Sequence, residues 1–80
     1  MKHERKDYNR FQDPQGLIPE DEPVFLLRGQ DVLAPDLLML WAQRLRNRGG
    51  SSYMAVVVEK HAEKMVAWQE NIKQKLPDLP

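Results

Sequence analysis

His61 lies one helical turn before Met65, a spacing at which an imidazole and a thioether can reach the same haem iron or copper ion. That chemistry needs further ligands or an attachment motif. The chain has no CxxCH and no second histidine in the part expected to fold. His61 therefore reads as an amphipathic side chain at the edge of a helical seam, a position where a contact can respond to pH. Glu20-Asp21-Glu22 places three carboxylates together, yet they adjoin one another before Pro23 and lack the alternating oxygens and glycine of a calcium loop. They read as a solvated acidic run, able to dock a basic partner.

Arg44, Arg46 and Arg48, joined by Arg28, form the strongest basic cluster and could touch phosphates. Only Arg44 and Arg48 are spaced to share a helix face. No aromatic residue is interleaved among them to stack a base. Single glycines at 16 and 29 and the pair Gly49-Gly50 match neither a phosphate loop nor a dinucleotide fingerprint. Ser51 and Ser52 stand where a helix cap is wanted and have no nucleophile elbow around them. We therefore expect no catalytic residue, cofactor or metal. Trp41 and Trp68 are large for so short a chain, and we expect them to pack between helices. The alternative places one of them in a partner or dimer interface, where tryptophan is enriched.

The elements that would position these residues are mainly helical. Pro35 and Asp36 suit a helix start, and Leu37, Leu40, Trp41 and Leu45 fall on one stripe. Three arginines crowd its end, and Gly49-Gly50 supplies a left-handed cap, which bounds a helix over residues 35–48. A second helix over 52–75 starts at a serine cap and carries Met54, Val58, His61, Met65, Trp68 and Ile72 in steps of four and three, before Pro77 stops it. So short a connection makes the two helices an antiparallel hairpin. Val24 to Arg28 reads as a short extended or β segment, whose backbone groups need a partner. The β-branched run within Tyr53–Val58 leaves a small βαβα unit as the alternative fold.

Residues 1–22 read as a disordered, flexible arm interrupted by Pro14, Gly16 and Pro19. Tyr8, Phe11, Leu17 and Ile18 are the residues that could tack it down. Residues 23–76 would then be the folded domain and 77–80 a tail.

The 80 residues carry 12 basic and 12 acidic side chains and no cysteine. A disulfide framework and thiolate zinc sites are therefore excluded. No apolar run is long enough to span a membrane, and the first residues do not read as a signal peptide. The cytoplasm is the expected location. The balanced charge is uneven along the chain: residues 1–10 sum to +2, 11–36 to −5, 37–50 to +3 and 51–80 to zero. That balance disfavours a dedicated nucleic-acid binder.

EDEPVFLLRGQDVLAPDLL, followed about forty residues on by HAEKMVAWQ, resembles a group of small, uncharacterised proteins from bacteria, their phages and mobile elements. The resemblance covers Pro19 to Gln69 and implies a bacterial, cytoplasmic, phage- or plasmid-derived accessory protein. It carries no catalytic or binding role to any residue.

Two helices share one face, and the second offers Val57, Ala62 and Val66 beside its main seam, so apolar surface is left over. The expected function is thus a non-enzymatic protein–protein interaction module, with a protein partner or a homodimer covering the surplus. Trp41, Trp68, His61, Arg28, Arg44 and Arg48 are the candidate contact residues. A small nucleic-acid-associated regulator using Arg44, Arg46 and Arg48 is the second reading. No small-molecule substrate is evident.

Overall fold

A computed structural model describes residues 1–8 and 13–77. Phe11 and the tail beyond Pro77 lie outside the described residues. The chain forms two compact units, one built on Met1–Leu27 and the other on Arg28–Pro77.

In the first unit, strand β1 (Lys2–His3) pairs in parallel with strand β2 (Pro23–Val24), Lys2 opposite Pro23 and His3 opposite Val24. The Lys2 amide donates to the Glu22 carbonyl at 2.8 Å, and the Glu4 carboxylate accepts from the Leu26 amide at 3.2 Å. The extended segment around Val24 thus finds its backbone partner in the same chain. A 3-10 turn spans Lys6–Tyr8. Arg5 pairs with both oxygens of Asp7 at 3.0 Å and lies 4.9 Å from the centre of the Tyr8 ring. Asp13 accepts from the Leu17 and Ile18 amides at 3.2 and 2.8 Å, closing a turn around Gly16, whose φ is +61°.

The described part of the expected arm, residues 1–8 and 13–22, is held by these local contacts. Polar side chains bonded to nearby amides build it, and hydrophobic periodicity carries no trace of such bonds.

The second unit is the helical hairpin. Helix α1 spans Ala34–Asn47 and α2 spans Ser52–Asn71. Ahead of α1, the Asp31 side chain accepts from the Leu33 amide at 2.8 Å, and Pro35 sits in the first turn. The end of α1 is a Schellman motif: Gly50 donates to the Leu45 carbonyl at 2.8 Å and Gly49 to that of Arg46 at 3.0 Å. Gly49 takes a φ of +78°, which only glycine adopts cheaply. A Cβ on Gly50 would run into the Leu45 side chain, so the second glycine is required sterically. Ser51 then caps α2 by accepting from the Met54 amide at 3.1 Å.

Residues 53–58 are helical throughout, so the βαβα alternative is not adopted. Helix α2 stops four residues short of the expected end at 75. There the chain turns back, and Lys75 pairs with the segment ahead of α1. Its amide donates to the Gln30 carbonyl at 2.8 Å, and its carbonyl accepts from the Val32 amide at 3.0 Å.

Among the described residues, the buried apolar side chains of the hairpin are Ala34, Pro35, Ala42, Ala55, Ala62 and Met65. No large side chain is fully buried. Leu38 and Leu45 on α1, with Val58 and Gln69 on α2, are half-buried beside them. The inner seam of α2 is therefore 55, 58, 62, 65 and 69, in alternating steps of three and four. It keeps Val58 and Met65 of the expected seam, whereas Met54, His61, Trp68 and Ile72 fall to one side of it. Alanine at the contact lets two helices approach to the short end of their usual spacing of about 8–10 Å. Larger side chains are turned to the flanks.

Candidate interaction surface

Helical geometry sorts those flanks into two unlike edges. Along one, Arg46 of α1 reaches Glu59 of α2 with two hydrogen bonds, 2.6 and 2.7 Å long. The hydrogen bonds, reinforced by the opposite charges, hold the Glu59 carboxyl below and the Arg46 guanidinium above their ordinary ranges. Glu63 and Glu70 continue the same edge of α2, with Val66 between them, and Met39 of α1 lies on this edge too.

The other edge is apolar. Leu37 and Trp41 of α1 lie on it, with Met54, Val57, His61, Trp68 and Ile72 of α2 one residue round from the inner seam. Trp41 is 49% exposed and Trp68 42%, which places neither inside the seam. This corrects the expectation that they pack between the helices. The stripe Leu37, Leu40 and Trp41 is likewise turned outward, each close to half exposed. The Arg46–Glu59 pair sets the antiparallel register, and counting nine residues from it along each helix brings Leu37 level with Trp68. Both tryptophans and His61 thus share one face of the hairpin. Its charged neighbours are cations: Arg44 and Arg48 on α1, and Lys64 on α2.

The arginines do not form a single patch. Arg44 and Arg48 flank the apolar edge, Arg46 is bound to Glu59 on the opposite edge, and Arg28 lies at the far end of the hairpin. There Arg28, Gly29, Gln30 and Trp68 line a shallow, open cleft of about 210 Å³. Glu20, Asp21 and Glu22 are exposed in the first unit. His61 is exposed, and among the described residues no three His, Cys, Asp or Glu side chains gather closely enough to hold a metal ion.

Sequence reasoning missed Gln69. Its side-chain amide donates to the carbonyls of Gly29 and Asp31 at 3.0 and 2.8 Å, tying the last turns of α2 to the turn that leads into α1. Nothing local marks a glutamine for this task. The alanines were visible, at 34 and 42 on α1 and at 55 and 62 on α2. Their regular spacing is the signal that separates the inner seam from the outer stripe.

No helix of the described residues is long and apolar enough to cross a membrane. No protein-family model matches the chain, and comparison with curated proteins and with solved structures returns no match.

Proposed function

We propose that the chain is a small, non-enzymatic interaction module that docks on another polypeptide through the apolar edge of its hairpin. One observation carries this reading: alanines fill the interior while Leu37, Trp41, Met54, Val57, Trp68 and Ile72 stay in solvent. A monomer would gain more by burying its largest apolar side chains, each of which contributes about 1.5–3 kcal/mol when removed from water. Their contiguity on one face is typical of an interaction site rather than of scattered surface residues. Tryptophans there would serve as anchors, with Arg44, Arg48 and Lys64 as a polar rim.

The test is a pull-down with the tagged full chain from an extract that also contains untagged chain. Wild type should retain a protein, its own copy included. Val57→Glu and Trp68→Glu should lose it, and Glu63→Lys on the opposite edge should keep it. Retention of nothing by wild type, or retention unaffected by the two glutamates, would refute the proposal.

A further inference from the structure

The apolar edge is also the cationic edge of the hairpin. Arg44, Arg48 and Lys64 rim it, all three exposed and none in an ion pair among the described residues. Every carboxylate of the two helices lies elsewhere. Glu59, Glu63 and Glu70 are on the opposite edge, and Asp36 is on the outer side of α1.

That segregation bears on what can cover the face. Partners in a specific interface present complementary charge, and like charges brought together count against a contact. A second copy offering the same edge would bring three more cations and no carboxylate. A nucleic acid would supply anions, but its phosphates would lie against Leu37, Met54, Val57 and Ile72. What suits both parts of the surface is an apolar stripe bordered by acidic side chains. The shape is equally selective. Two packed helices, each about 10–12 Å across, leave a groove between them along this face, and an amphipathic helix laid in such a groove is a recurring mode of recognition.

Taking the apolar edge as a docking surface, as proposed above, we infer that its occupant is an acidic amphipathic helix of another protein, which completes a three-helix bundle. Met54 and Ile72 mark the ends of the stripe on α2. At 1.5 Å per residue they stand about 27 Å apart, so the occupant spans about five turns. Cations border the groove on both sides, Arg44 and Arg48 from α1 and Lys64 from α2. The occupant therefore carries Asp or Glu on both flanks of its apolar stripe, and Trp41 and Trp68 anchor that stripe.

Trp41 and Trp68 are the two tryptophans of the chain, so intrinsic fluorescence reports this face directly. The probes are two tryptophan-free helical peptides of about 18 residues with the same leucine stripe, one flanked by glutamate and the other by lysine. The full chain should bind the glutamate peptide with a blue shift of its emission. Its affinity should be about tenfold higher than for the lysine peptide, the sum of three rim ion pairs of ordinary strength. The preference should fall as salt is added, and Arg44→Glu combined with Lys64→Glu should abolish it. Equal affinity for the two peptides, or no shift with either, overturns the inference. So does sedimentation of the chain alone as a dimer or larger species, which makes the occupant a further copy. A shift produced by phosphatidylserine vesicles or single-stranded DNA, and not by the glutamate peptide, overturns it as well. In the pull-down, a protein that wild type retains and Trp68→Glu loses leaves the docking reading standing even then, whereas retention of nothing removes both.

Discussion

Glu59 and Arg46 form the one ion pair between the two helices among the described residues, and the pair makes the hairpin sensitive to acid. The Glu59 carboxyl titrates below its ordinary value because Arg46 donates to it and adds a favourable charge. Its contribution is therefore fully present above the unfolded carboxylate range and is lost as pH falls through the lower folded value. The Arg46 shift is upward, so its charge holds throughout the neutral and acidic range. Glu59→Gln should flatten the dependence of stability on pH below the carboxylate range, as measured by urea midpoints at a series of pH values. Both side chains are partly exposed, so the effect should be modest and should shrink with added salt. A wild type and variant with parallel pH profiles would show the pair to be energetically idle. The sequence did not show this contact, since Arg46 sits amid three arginines and its partner is thirteen residues away across a turn.

At the scale of elements, the seam between α1 and α2 is where legibility ended. The limits of α1, the turn and the start of α2 were readable because Pro35, Gly49, Gly50 and Ser51 act through their own backbone or the next few amides. The inner face was read correctly at Leu45, Val58 and Met65 and misplaced elsewhere, because pattern reading weights large apolar side chains as core and treats alanine as neutral. In this hairpin the small residues set the closest approach and the large ones line the edge. The end of α2 was misplaced for another reason: Lys75 pairs with residues 30 and 32, and no local feature signals so distant a partner. Ala62 gives the sharpest test, since it is 1% exposed. Ala62→Leu should destabilise the hairpin by about 1–3 kcal/mol by forcing the helices apart, although leucine is nearly as good a helix former as alanine. Leucine at exposed His61 should not destabilise the hairpin. Thermal denaturation of both variants would check the pair, and a stabilised Ala62→Leu would show the seam to be loosely packed.

At the scale of the whole molecule, the Arg28–Pro77 unit is closed at both ends, at one by the Schellman turn and at the other by Gln69 and the Lys75 bridge. That second closure has a consequence for engineering. Asp31 and Lys75 are paired neighbours, so the chain enters and leaves this unit at nearly the same place. A segment whose ends meet can be grafted into a loop of an unrelated carrier without stretching either structure. Residues 28–77 inserted into an exposed loop of a host protein should keep their helical signal and leave the host's melting temperature nearly unchanged. The same graft truncated at Ile72, without Lys75, should fray at its junctions and lower that temperature. Two short backbone hydrogen bonds would thus make the hairpin a portable cassette.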